Sequence, residues 1–176
     1  MPTALVTVGS TLFEDLISVF EPGGALFKAL EDAHFDKVIV QYGKGTPPRR
    51  ATGSNLKVEA FSFNDNIDKL IAESGLVISH AGSGSILTAL RAGRKLIVVP
   101  NTSLMDNHQA ELALALEKGR YLYVSTPETL AITVKKVTSS PSDSSESLVP
   151  LEPFPDFQPQ RFRNIVDAHM GFANSS

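Results

Sequence analysis

Leu96-Ile97-Val98-Val99, like Val38-Ile39-Val40 before it, is apolar on consecutive residues rather than on alternate ones. A strand with one wet face alternates; a strand covered on both faces does not, so these runs read as parallel strands sandwiched between helices. Outward from them, short apolar runs at 4–8, 37–42, 56–61, 76–79, 95–99 and 121–124 alternate with helical patterns. Helices are expected over 12–20 and 25–33, split by Pro22-Gly23-Gly24, and over 65–74, where Ile67, Leu70 and Ile71 share a face behind Asn64 as N-cap. Further helices are expected over 85–92 and 106–118, ended by Gly93 and Gly119, and from Thr126-Pro127 to about Val137. Regular alternation of this kind predicts an α/β fold, a doubly wound parallel sheet with right-handed crossovers.

The 176 residues suffice for one such domain. We expect it to occupy residues 1–138, followed by a flexible Ser-rich linker at 139–150 and a C-terminal arm at 151–176. That arm is anchored by Leu151, Phe154 and Phe157 and carries a short helix over about 159–170. A net charge of −3 offers no global field for nucleic acid. The absence of cysteine removes disulfide and thiolate chemistry and fits a reducing compartment. No basic segment precedes the apolar start, and no apolar run approaches about 18 residues, so neither a signal peptide nor a membrane span is expected. The sequons at Asn101 and Asn174 then read as chance matches.

In an open parallel sheet, ligands bind beyond the carboxyl ends of the strands, which directs attention to three loops. Gly9-Ser10-Thr11 follows the first strand and is expected to open a helix. It reads either as a phosphate cradle of small residues and free amides, or as a tight turn with a hydroxyl cap. Ser79-His80-Ala81-Gly82-Ser83-Gly84-Ser85 follows the fourth strand and is the stronger signal. Its glycines permit close approach and its serines offer hydroxyls, while His80 is either a site residue or a satisfied structural one. Residues 100–109 gather Asp106, Asn107, His108 and Gln109 at the first turn of an expected helix. These side chains suit the hydroxyls and amide of a sugar, or else form a polar loop with a cap.

Several chemistries are disfavoured. There is no G-x-x-x-x-G-K-[ST], no G-x-S-x-G elbow and no D-x-D pair. Gly82-x-Gly84 lacks the third glycine of a dinucleotide fingerprint, because Leu87 stands there. The four histidines show no metal-ligand spacing.

Residues 78–87, Leu96-Ile97-Val98-Val99 and Ser103-Leu104-Met105-Asp106-Asn107-His108-Gln109 closely resemble the catalytic subunits of the dolichol-linked N-acetylglucosaminyltransferase of fungi and animals. Val6-Thr7-Val8-Gly9-Ser10-Thr11, Val40-Gln41-Tyr42-Gly43, Phe61-Ser62-Phe63 and the tail around Pro153-Phe154-Pro155 extend the likeness over nearly the whole chain. The resemblance implies a Rossmann-like, GT-B C-terminal half that binds UDP-GlcNAc as donor substrate, with no cofactor and no metal. It implies a membrane-anchored partner subunit that carries the acceptor side; from its apolar residues we expect the arm at 151–176 to pack back on this domain and to present a face to that partner. The pair would move GlcNAc, with inversion, onto GlcNAc-pyrophosphoryl-dolichol as a β-1,4 linkage, the second step of dolichol-linked oligosaccharide assembly. This would take place on the cytosolic face of the endoplasmic reticulum. The donor-binding set so implied is Gly9, Ser10, Thr11, Gly82, Ser83, Gly84, Ser85, Asn107 and Gln109; the catalytic candidates are His80 and His108. The fold so implied is similar to the C-terminal domain of the bacterial transferase that makes peptidoglycan lipid II, in which a carboxylate on the helix after the glycine loop grips the ribose; Thr88 stands at the matching position here. That departure, with no evident general base, leaves a second reading: a non-catalytic sugar-nucleotide-binding or regulatory subunit of the same fold.

Overall fold

The computed structural model describes residues 2–49, 54–103, 108–139, 150–155, 160, 163 and 164. Six strands run parallel: β1 (Thr3–Thr7), β2 (Lys37–Gln41), β3 (Lys57–Phe61), β4 (Leu76–His80), β5 (Lys95–Val99) and β6 (Tyr123–Val124). Their order is β3-β2-β1-β4-β5-β6. The chain therefore builds outward from β1 in one direction, crosses back, and continues from β4 in the other. The loops leaving β1 and β4 part at that switch, and a crevice opens between them at the carboxyl edge.

The helices are α1 (Glu14–Ser18), α2 (Ala25–Asp32), α3 (Ile67–Glu73), α4 (Ser83–Arg91), α5 (His108–Lys118) and α6 (Leu130–Thr138). Consecutive apolar strand residues divide between two cores, as two-face burial requires. Val6, Val40, Ile78 and Ile97 pack with Leu16, Phe20, Phe27, Leu30 and Val134 from α1, α2, their connection and α6. Leu5, Ile39, Val77, Leu96 and Val98 pack on the other side with Ile71, Ile86, Leu90, Ala113 and Leu116 from α3, α4 and α5. Each such side chain, fully buried, contributes about 1.5–3 kcal/mol.

Several boundaries differ from the expected ones. The first helix starts at Glu14 rather than residue 12, leaving Leu12 54% exposed. Asn64 caps no helix; its side-chain Oδ1 accepts the Asn66 N–H at 2.8 Å in an Asx turn, and α3 starts at Ile67. The final helix starts at Leu130, because Thr126 and Thr129 bond one another through backbone and hydroxyl in a separate turn. Gly93 does end α4, in the left-handed region at φ +64. At the end of α5 the left-handed residue is Arg120 (φ 60), not Gly119. Gly119 is small for another reason: a Cβ there would lie 2.6 Å from the Tyr121 ring.

The start of the arm lies against the amino edge of the sheet. The Glu152 N–H donates to the Arg120 carbonyl at 2.7 Å, the Glu152 carboxylate accepts from the Arg120 guanidinium, and Phe154 meets Tyr121 edge-on at 5.2 Å. The expected linker, but for Ser139 and Pro150, and the expected helix over 159–170, but for residues 160, 163 and 164, lie outside the described residues. Among the described residues no helix is long and apolar enough to cross a membrane.

Candidate functional site

Three loops meet at the carboxyl edge around the switch between β1 and β4, and they are built differently. After β4 the chain turns at once into α4. The Gly82 N–H donates to the His80 carbonyl at 2.8 Å, and the Ser79 hydroxyl donates to the same oxygen. Gly82 is the N-cap in extended backbone, with no side chain to bond the first-turn amides. The first intrahelical bond in that turn is Ile86 N–H to the Gly82 carbonyl. The amides of Ser83, Gly84 and Ser85 thus point out of a nine-residue helix at its positive end. Ser83 and Gly84 are exposed and Ser85 half-buried, and a Cβ on Gly84 would meet nothing within 4 Å. An anion has open access here.

His80 forms the floor. It is only 7% exposed, and its ring fills the space where side chains of its neighbours would go. A Cβ on Gly9 would sit 2.8 Å from its Cε1, and one on Gly82 would sit 2.5 Å from its Nε2. These two glycines are therefore small first of all to admit the imidazole. Burial pulls the His80 pKa below its ordinary value, with the Thr7 backbone opposing more weakly, so the ring is neutral at pH 7. Its buried Nδ1 has no hydrogen-bond partner among the described residues. A buried atom of this kind is costly unless something completes it.

The loop after β1 is self-contained. Thr7, buried at the tip of β1, donates to Gln41 Oε1 at 2.5 Å and accepts the Gly9 N–H at 3.1 Å. The Thr11 hydroxyl and amide both go to the Val8 carbonyl, and the Thr11 carbonyl accepts the Lys44 N–H. Gly9 is left-handed at φ +62, which a residue without Cβ adopts freely. The expected helix opening is absent here: Gly9, Ser10 and Thr11 precede α1 by a further loop. The first turn of α1 carries Glu14 and Asp15, and Glu14 accepts the Thr46 N–H at 2.6 Å. Its dipole already faces carboxylates of its own chain. Of the three residues, Ser10 is the exposed one.

After β5, Asn101 is 8% exposed and committed to structure. Its amide donates to the Leu12 carbonyl at 3.2 Å, and its Oδ1 accepts from the Ser103 hydroxyl and amide. The bond to Leu12 ties this loop to the β1 loop. His108 opens α5 with its side chain 66% exposed and Nδ1 3.8 Å from Glu111 Oε2; Gln109 follows half-buried. Asn107, with residues 104–106, lies outside the described residues. Register places His80 beside Val99, so the β4 and β5 loops are neighbours. The structure thus gathers Gly9 and Gly82 around the His80 ring, with Ser83, Gly84 and Ser85 at the adjoining amino end of α4 and His108 and Gln109 on the element after β5. The sequence reading missed Thr7 and Gln41, the pair that braces the crevice. A polar residue ending each of two apolar strands was the available signal. Among the described residues no three His, Asp or Glu side chains gather in a way that could hold a metal.

The chain has relatives. The profile of the glycosyltransferase family 28 C-terminal domain matches residues 3–156. A UDP-N-acetylglucosamine transferase subunit ALG13 from Cryptococcus neoformans is 36% identical, across 97% of this chain and 97% of its own. The human subunit ALG13 is 36% identical over 84% of this chain, which spans only 13% of the human protein's length. The NMR solution structure of ALG13 matches with a TM-score of 0.62 at 27% identity, covering 94% of both chains. The crystal structure of Acinetobacter baumannii MurG matches with a TM-score of 0.54 at 17% identity, covering 78% of this chain and 40% of that one, a likeness of fold.

Proposed function

Because this chain belongs to the family of glycosyltransferase family 28 C-terminal domains, we propose that it is the donor-binding subunit of a UDP-N-acetylglucosamine transferase. The observation that carries this reading is the uncapped amino end of α4, open at the switch point above a buried neutral imidazole. The names of the relatives point to the same donor.

On this reading the UDP diphosphate lies on the amides of Ser83, Gly84 and Ser85, with the Ser83 and Ser85 hydroxyls beside it. The acceptor hydroxyl attacks C1 of GlcNAc from the face opposite the diphosphate, inverting the anomeric centre. As the C1–O bond breaks, its electron pair passes to the β-phosphate, and the charge there falls on preorganised donors. Helix amides perform this task without a divalent cation. The acceptor must also lose a proton. On this reading His80, packed between Gly9 and Gly82, holds the donor and does not act on the acceptor. His108 is exposed, at the start of α5. We assign the base to His108 or to the partner subunit.

The relatives are named as subunits, which supports a partner. We propose that it is the membrane-anchored, acceptor-binding half, on the cytosolic face of the endoplasmic reticulum. The acceptor is GlcNAc-pyrophosphoryl-dolichol and the product a β-1,4 linkage. Residues 151–176 form the contact, with Glu152 and Phe154 fixing the root of the arm. Titration of the full chain with UDP-GlcNAc, then a transfer assay with the reconstituted pair, tests the proposal. Binding by the chain alone with transfer only by the pair is expected. No binding would overturn the donor assignment; binding without transfer by the pair would favour a regulatory subunit.

A further inference from the structure

The Thr88 hydroxyl on α4 donates to Asp68 Oδ1 on α3 at 3.0 Å. We infer that Asp68 is the carboxylate that receives the ribose hydroxyls of the bound nucleoside diphosphate, held in position by Thr88. This rests on the donor reading above and adds to it a specificity-determining residue drawn from a different helix.

Nucleotide-binding sheets of this strand order use an acidic residue to hydrogen-bond the ribose, whose two adjacent hydroxyls need strong acceptors. Here the tip of β2 is Gln41, 2% exposed and engaged with the Thr7 hydroxyl, and Tyr42-Gly43-Lys44-Gly45 after it contains no acid. Helix α4 reads Ser83-Gly84-Ser85-Ile86-Leu87-Thr88-Ala89-Leu90-Arg91 and contains none either. Glu14 accepts the Thr46 amide and belongs to the helical layer on the other face of the sheet. Asp68 is exposed, in the first turn of α3, and shares a layer with α4. Its partner Thr88 stands five residues past Ser83, about 7.5 Å along the axis from the helix end that would take the diphosphate. A ribose is joined to its phosphate through one methylene, so a sugar lying back along α4 reaches that level. A carboxylate has about four acceptor sites, of which Thr88 uses one.

The competing role is a simple clasp between α3 and α4, and the two make different demands on the ligand. The test is calorimetric titration of the full chain and its Asp68→Ala and Thr88→Val variants with UDP and with 2′-deoxy-UDP. The wild-type chain is expected to bind UDP about tenfold or more tighter than 2′-deoxy-UDP. Asp68→Ala should remove most of that preference, with UDP losing clearly more affinity than 2′-deoxy-UDP, which has only its 3′-hydroxyl contact to lose; this coupling is the signature of a direct pair in a double-mutant cycle. Thr88→Val should give a smaller loss of the same selectivity. An Asp68→Ala chain that still prefers UDP as the wild type does, or that loses both ligands equally, would overturn the inference and leave the donor reading standing. A wild-type chain that binds neither UDP nor UDP-GlcNAc would overturn the donor reading instead.

Discussion

The turn after β1 and the turn after β4 look alike as strings, each combining small residues with hydroxyls, yet they end as opposites. In the β1 turn, the Thr7 and Thr11 hydroxyls and the Gly9, Thr11 and Lys44 amides are bonded within the loop or across to β2. In the β4 turn, the cap has no side chain and the first amides of α4 have no partner among the described residues. Polar residues in a turn create a binding site only when the turn leaves its donors unspent. His80 couples the two, since its ring occupies the space that Gly9 and Gly82 leave vacant.

Substitutions can separate the two turns. The largest effect is expected where the β1 turn is braced. A Cβ on Gly43 (φ +58) would lie 2.3 Å from the Thr11 carbonyl, so Gly43→Ala combines backbone strain with a backbone clash and should cost about 3 kcal/mol in a urea titration. Gly84→Ala, with open space around it, should leave folding stability equal or higher while weakening UDP-GlcNAc. Equal destabilisation by both would erase the contrast. Next come the exposed serines: Ser83→Ala should weaken UDP-GlcNAc about tenfold by calorimetry, and Ser10→Ala by twofold or less, on the order of a charge-assisted bond against none. A reversed ranking would move the phosphate to the β1 turn.

The smallest effect is a pH slope. Because the folded-state pKa of His80 lies below the unfolded value near 6.5, its contribution to stability is fully present above that value. It is lost as pH falls from there toward the folded pKa, since only the unfolded chain takes up the proton. Denaturation midpoints from pH 8 to pH 5 should fall for the wild type and fall less for His80→Gln.

Much of the fold was legible because burial on both faces leaves a local mark. Val38-Ile39-Val40 and Leu96-Ile97-Val98-Val99 do alternate between the two cores, and Ile67, Leu70 and Ile71 do share the inward side of α3. Element ends were less legible because they depend on neighbours: the ring of Tyr121 claims the space at Gly119, and the left-handed residue is Arg120. At the site, the β4 loop stood out by its glycines and serines. Nothing local marked Asn101, in the loop after β5, as the tie to Leu12 that the structure shows.

Residue order alone determined the layered α/β class and which loops follow its strands, because strand burial and helix periodicity are properties of neighbouring residues. Only the tertiary structure decided which loop keeps its amides open, why Gly9 and Gly82 must be glycine, and which acid stands beside Thr88. Those answers depend on groups far apart in the chain, such as Gly9 and His80 or Asp68 and Thr88, whose meeting is set by the crossing from β3 back to β4 and by no local pattern.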